Sequence, residues 1–329
     1  MIARASADCP GDSGTRPEQS LTDMIWIRGG TSLMGSNDFY PEERPVHRVL
    51  VDGFWMDKRP ITNAEFRCFI EATGYVTTAE RPPDPRDYPG VDPALLVPGS
   101  LVFRRPTQRV SLRDSRAWWS YVAGACWHHP EGPDSALDGR DQHPVVHVAY
   151  GDAEAYAAWA GKELPTEAEW EHAARGGLEG AAYVWGDESA PGGHIPANTW
   201  LGEFPWQSLK PGGQVGTSPV GAFPPNGYGL CDMAGNVWEW TSDYFTPRHP
   251  DEVARVCCIP RNPRVESAER SYAGGQPDAH IPRRVVKGGS HLCAPNHCLR
   301  YRPAARQGET IDSSTSHIGF RCVARVSAG

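Results

Sequence analysis

Glycine and proline interrupt this chain so often that long helices and wide regular sheets are excluded. The 329 residues include 35 Gly and 31 Pro, below the share that marks low complexity but enough to force frequent turns. A chain cut into short elements must find its burial in large side chains. Twelve Trp supply it, because an indole brings a large apolar area even from a loop. The expectation is an irregular α+β fold with little regular secondary structure, in a chain long enough to enclose a real core.

The formal net charge is -8 and no Lys/Arg run is present. The basic footprint that phosphate binding demands is therefore missing, which excludes a nucleic-acid partner and suits a cationic peptide better. No apolar run reaches membrane-spanning length, and the opening segment MIARASADCPGDSGTRPEQS lacks the apolar centre of a signal peptide,. These features predict a cytoplasmic monomer with no membrane association, with residues 1–22 a disordered tail and 23–329 one domain. Nine scattered cysteines form no secreted disulfide framework, so most are expected to be buried thiols.

Met24 to Ile27 reads as a strand running into a turn at Gly29 and Gly30, and Val46 to Val51 as a second strand,. Thr62 and Glu65 form a capping box for a helix with Phe66, Phe69 and Ile70 on one face and Gly74 as its stop,. Asp152 is placed to cap a helix carrying Tyr156 and Trp159 and ending near Gly161. Thr166 and Glu169 box a further helix that carries Trp170 and stops at Gly176 and Gly177,. Residues 81–144 read as a long structured loop region with Trp118, Trp119 and Trp127 buried in it, and residues 180–325 as nearly helix-free. There is no internal repeat, dinucleotide fingerprint, Walker loop or two-histidine zinc helix. His143 and His147 have a ligand-like interval, but Pro144 makes the segment extended and sets the rings about 13 Å apart, so both are read as structural.

The chemistry concentrates between Lys287 and Arg302. Cys293 and Cys298 lie five positions apart, with Pro295 and Asn296 favouring a turn that could bring the sulfurs to one point,. Four readings stay open. A zinc half-site lacks companions, since Cys257 and Cys258 are adjacent and poorly disposed to chelate one ion. A structural disulfide sits badly with a reducing compartment. Two thiolates alone suit a two-coordinate soft ion such as Cu(I). Two unrelated packed thiols are the fourth reading, because free cysteine is among the most buried residue types.

The run Gly288-Gly289-Ser290 to Cys293, with Cys298, Arg300-Tyr301-Arg302, Ala304-Ala305-Arg306, Asp312-Ser313-Ser314 and Gly319-Phe320-Arg321-Cys322, resembles the C-terminal signature of formylglycine-generating enzymes. Upstream, Leu164 to Glu171, Phe223 to Leu230 and Gly235 to Trp240 resemble the wider sulfatase-modifying-factor superfamily, whose fold is C-type-lectin-like. The resemblance covers about residues 24–323, hence one domain. It implies an oxidase that uses O2 to convert the cysteine of a Cys-X-Pro-X-Arg segment, in an unfolded sulfatase chain, to an aldehyde. By the same resemblance Cys293 and Cys298 match catalytic cysteines that hold Cu(I), Ser290 a serine beside the oxygen pocket, and Trp238 a tryptophan lining the active site. Asp232, Gly235, Val237 and Glu239 match a calcium site, an oxygen-only set that suits a hard cation. Asn198 and Thr199 match a second calcium site, but Gly212 stands where its carboxylate ligand should be. Asp84 aligns with the acid that binds the substrate arginine.

The chain also departs from the pattern. Ala157, Ala174 and Pro303 stand where three of four cysteines brace vertebrate members, leaving Cys322 without a partner, and Ala294 and His297 replace a histidine and a tyrosine. Two other functions share the superfamily, an iron-dependent sulfoxide synthase and a silent lectin-like binding module. The first couples the fold to a histidine-rich helical domain for which this chain has no segment, and for the second the cysteines would be incidental.

Overall fold

The computed structural model describes residues 21–250, 259–273 and 280–325. Most of the expected tail, residues 1–20, and the pair Cys257 and Cys258 lie outside the described residues. In chain order the regular elements are β1 (Met24–Ile27), β2 (Gly30–Met34), β3 (His47–Val51), β4 (Phe54–Asp57), α1 (Asn63–Thr73), β5 (Gly99–Phe103) and β6 (Trp119–Ala123). After these come α2 (Tyr150–Trp159), α3 (Glu167–Arg175), β7 (Trp238–Tyr244), β8 (Arg283–Lys287), β9 (Arg306–Thr310), β10 (Ile318–Gly319) and β11 (Val323–Arg325). The fold is α+β with short elements, as the frequency of glycine and proline dictates.

Two sheets organise the domain. One has the order β1-β4-β11 and sets the first and last strands on either side of β4, while the other has the order β10-β7-β8-β9, with β10 parallel to β7 and the remaining pairs antiparallel. Two hairpin-like pairs, β2-β3 and β5-β6, complete the strands. Gly30, expected in a turn, instead opens β2 opposite Val51. The β5-β6 pair corrects the reading of 81–144 as loop alone. Its strands are joined by a long polar connection, which hides the pairing from any local pattern; Trp118 and Trp127 within that region are buried, and Trp119 is partly exposed.

The helices follow their caps. Thr62 Oγ1 accepts from the Glu65 N–H at 3.3 Å and the Glu65 carboxylate accepts from the Thr62 N–H at 2.8 Å, while Gly74 ends α1 at φ 65°,. Asp152 does not cap α2 from outside. The helix begins two residues earlier, Ala149 is its cap, and the Asp152 carboxylate reaches back to the Ala149 N–H at 2.8 Å from the third helical position. α3 is polar in sequence yet buried along its whole length. Its charges are matched inside the fold: Glu167 takes Arg306 at 2.7 and 2.8 Å, and Glu171 takes Arg175 at 2.7 Å and Lys287 at 2.9 Å. A buried ion left without its partner would cost several kcal/mol, so these pairs specify how α3 seats against β8 and β9.

The largest aromatic cluster gathers Phe66, Phe69, Trp127, Tyr156, Trp238, Trp240 and Phe320, with Cys293 and Cys322 among them. His143 and His147 are structural, as expected: His143 meets Thr217 Oγ1 at 2.9 Å, and buried His147 lies between Ser100 Oγ at 2.7 Å and the Pro130 carbonyl at 2.8 Å. His147 takes a φ of 59°, so the segment after Pro144 is not a simple extended run. Cys126, Cys231 and Cys322 are free buried thiols. Cys68, on α1, departs from that expectation and is disulfide-bonded. Among the described residues no helix is long and apolar enough to cross a membrane.

Candidate active site

The cysteine loop begins where β8 stops. Gly288, at φ 89°, passes so close to Trp170 that a Cβ would stand 3.0 Å from the indole, and one on Gly289 would stand 2.9 Å from the Arg300 carbonyl. Only glycine lets the chain leave the sheet there and fold back on Arg300 and Tyr301. Two tight turns follow. The Cys293 N–H donates to the Ser290 carbonyl at 2.9 Å and the Leu292 N–H to Ser290 Oγ at 3.2 Å; then the His297 and Cys298 N–H groups both donate to the Ala294 carbonyl, at 3.2 and 2.9 Å. The second turn spans Pro295 and Asn296, the residues whose preferences predict it. Together the turns set Cys293 Sγ 3.0 Å from Cys298 Sγ.

The two sulfurs are not equivalent. Cys293 is enclosed, at 1% exposure, while Cys298 is partly open. Burial, together with its contact to Cys298, pushes the Cys293 thiol well up. The Cys298 thiol is pulled down, first by the hydrogen bond from Cys293 and then, against its own burial, by the charge of Arg300, whose Nη1 lies 3.9 Å away,. Arg300 is itself held by residues some 260 positions distant: its guanidinium lies 3.8 Å over the Tyr40 ring and donates to Glu42 at 2.7 Å, and the Tyr40 hydroxyl accepts from the Leu299 N–H at 3.0 Å. Sequence reasoning quoted Arg300 without a role and missed Tyr40 and Glu42. No local signal ties a Tyr-Pro-Glu-Glu turn to a cysteine loop at the other end of the chain.

Ser290 is fully buried, its N–H directed at Cys293 Sγ at 3.4 Å. Trp238 is buried on β7, its backbone N–H donates to the His317 carbonyl at 2.9 Å, and its ring packs in the cluster that contains Cys293. His297 stacks on Phe204 at 4.4 Å and meets Trp118 edge-on at 5.6 Å, so its ring closes the apolar side of the loop.

The Sulfatase-modifying factor enzyme 1-like domain family matches residues 10–326. A protein of Mycobacterium tuberculosis named formylglycine-generating enzyme is 55% identical over 305 residues, covering 92% of this chain and 98% of its own. The mouse protein of the same name is 44% identical, covering 97% and 79%. The chain belongs to this family. Among solved structures PvdO of Pseudomonas aeruginosa superposes with a TM-score of 0.60 at 21% identity, over 92% of this chain and 94% of that one, a likeness of fold.

The other residues that the family resemblance singles out are placed unevenly. Glu239 lies on β7, and its carboxylate accepts from Arg321 Nε and Nη2, each at 2.7 Å, and from Trp170 Nε1 at 2.7 Å. Three of its roughly four acceptor sites are taken, one on Oε1 being left, and the buried guanidinium already supplies the countercharge that a dication would bring,. Asp232 accepts from the Gly221 N–H at 2.7 Å, and burial raises its carboxyl above the usual range. Gly235 and Val237 are both buried, and Gly235 lies against Asn198, where a Cβ would stand 2.4 Å from the Asn198 carbonyl. As arranged, this set does not fit calcium. The second set fits less well still. Asn198 Oδ1 accepts from the ammonium of Lys210 at 2.5 Å, Thr199 Oγ1 is buried without a hydrogen-bond partner, and Gly212 stays at the surface. A lysine cation stands at the oxygen that a metal would take.

Asp84 lines a cavity of about 590 Å³ together with Arg81, Tyr88, Leu101, Tyr121 and Asp312. The cysteine pair is not part of that lining. The Asp84 carboxylate is already gripped by neighbouring Arg86, with Nη2 at 2.5 Å and Nε at 3.0 Å, and this pairing holds it at about 2.

Proposed function

We propose that the chain is a copper-dependent oxidase that uses O2 to convert the cysteine of a sulfatase Cys-X-Pro-X-Arg segment to Cα-formylglycine. The observation that supports it is the sulfur pair, two free thiols 3.0 Å apart with one enclosed and the other reachable from outside. Its close relatives carry the name formylglycine-generating enzyme.

The donor set fits a soft ion. Among the described residues no third His, Cys, Asp or Glu ligand converges with the two sulfurs, so Cys293 and Cys298 would hold Cu(I),. Bound there, copper supplies the one-electron chemistry that lets triplet O2 react with a closed-shell thiol. The remaining work falls to the chain. Arg300, fixed by Tyr40 and Glu42, favours the thiolate of Cys298, the sulfur that an incoming peptide meets first. Ser290 accepts from Leu292 and keeps its own O–H to donate beside Cys293. Trp238 and the stacked His297 and Phe204 exclude water from the enclosed side. Aerobic incubation of the protein with copper and a Cys-X-Pro-X-Arg peptide tests this reading, mass spectrometry being expected to show the thiol replaced by an aldehyde. An unmodified peptide after many equivalents of O2 and verified copper loading would overturn it.

A further inference from the structure

Away from the cysteine pair, three potential metal ligands converge where the end of the β5-β6 pair meets the turn after α1. Cys126 Sγ lies 3.4 Å from His128 Nδ1 and 3.8 Å from its Nε2, and His128 Nδ1 lies 3.9 Å from Glu80 Oε1. One ligand atom from each residue falls within 4.8 Å of the others. We infer that Glu80, Cys126 and His128 form a further metal site, one that takes a zinc-like divalent ion with water in the fourth position.

Spacing carries the first step. Ligand atoms around a tetrahedral ion with bonds of about 2.0 to 2.3 Å stand about 3.3 to 3.6 Å apart. The sulfur–nitrogen gap already has that size, and the nitrogen–oxygen gap closes with a small rotation of Glu80. The ligands are also individually prepared. Glu80 Oε2 is anchored by the Thr77 N–H at 3.0 Å and the Thr77 hydroxyl at 2.7 Å, which turns Oε1 toward the cluster. The backbones of Cys126 and His129 exchange hydrogen bonds at 3.2 and 3.1 Å, holding the loop that presents sulfur and imidazole.

Charge and access identify the ion. A thiolate, a neutral imidazole and a carboxylate sum to two negative charges, which a dication neutralises, and the mixture of S, N and O donors suits a borderline ion better than Cu(I) or calcium. Cys126 is buried, while the His128 and Glu80 side chains are 38% and 26% exposed, leaving one side open for entry and for water. Glu80 sits between Thr78 and Arg81, which both line the 590 Å³ cavity. An ion here therefore ties that wall of the cavity to the end of β6.

Cobalt(II) is a spectroscopic stand-in for zinc. Titrating it into the full chain carrying Cys293→Ser and Cys298→Ser should give a thiolate-to-cobalt charge-transfer band that saturates at one equivalent and is displaced by zinc. Adding Cys126→Ser should abolish the band, and His128→Ala or Glu80→Gln should weaken binding by roughly tenfold or more. In the parent chain, zinc should raise the melting temperature by mass action, and His128→Ala, a change at a partly exposed position, should remove that rise. A cobalt band that survives Cys126→Ser, or a zinc-dependent rise unaffected by His128→Ala, would overturn the site. Loss of peptide oxidation in the double-serine background bears only on the copper reading and leaves this one standing.

Discussion

The loop bearing Cys293 and Cys298 and the segment bearing Asp232 to Glu239 are neighbours, since β7 and β8 pair with Glu239 opposite Lys287 at the threshold of the cysteine loop. Both carry residues that match family metal ligands, yet the chain treats them differently. The sulfurs meet each other. The oxygens of Glu239 meet Arg321 and Trp170, and that of Asn198 meets Lys210. A thiol can be buried neutral at modest cost and wait for a soft ion, whereas a buried carboxylate must be neutralised wherever it lies. Where the protein provides that countercharge itself, a metal has less to offer the same oxygens.

The largest effect should come from the sulfur side. Cys293→Ser or Cys298→Ser should abolish peptide turnover while shifting the melting temperature little, because an alcohol is nearly the size of a thiol but a poor ligand for Cu(I). Full activity in Cys298→Ser would erase the distinction between the two regions from one end.

The oxygen side should answer in stability. Glu239→Gln strands the buried guanidinium of Arg321 and should cost about 3 to 5 kcal/mol, read as a fall in the denaturation midpoint. Pairing it with Arg321→Met should cost clearly less than the two single changes added together. Calcium should leave the melting temperature of the unaltered protein where it is. A calcium-dependent rise that Glu239→Gln removes would show that Arg321 gives way to the ion, and the contrast with the sulfur loop would then be one of occupancy alone.

What was legible in the sequence follows the same division. The caps of α1 and α3 and the turn at Pro295 and Asn296 were readable because their causes lie within a few residues. The β5-β6 pair, the clamp of Tyr40 and Glu42 on Arg300, and the Lys210 contact at Asn198 were not, because their partners are distant in sequence and nothing local marks them. Motif matching names the ligand residues of all the expected metal sites, but which of them face a protein cation instead is decided by partners distant in sequence. The start of α2 was misplaced for a smaller reason: an aspartate at the third helical position that reaches back to the cap looks, in sequence, like a cap itself.

Acid should separate the regions further. Glu171 is held at about 2 against its burial by Lys287 and Arg175. A carboxylate whose folded value lies below its unfolded one stabilises the fold above the unfolded value, and that stability is lost as pH falls through the folded one. Stability should therefore decline between about pH 4.5 and pH 2, and Glu171→Gln should flatten this decline while lowering stability at neutral pH. A slope unchanged in that variant would mean other carboxylates govern the acid limb.

The smallest effect concerns Asp84, where the rule that a protein cation consumes a ligand oxygen applies at an exposed position. If Asp84 receives the substrate arginine, it must first release Arg86, and an exposed ion pair gives up little on exchanging one guanidinium for another. Asp84→Ala should therefore raise KM only about twofold to fivefold for a peptide that contains the arginine, and not at all for one that lacks it. Arg86→Ala should act in the opposite direction, lowering KM for the arginine peptide because the carboxylate no longer has to be vacated. Crossing each change with the peptide substitution isolates the coupling. A KM that rises in Arg86→Ala would show that Arg86 supports substrate binding, and the competition drawn from the Asp84–Arg86 pair would be wrong.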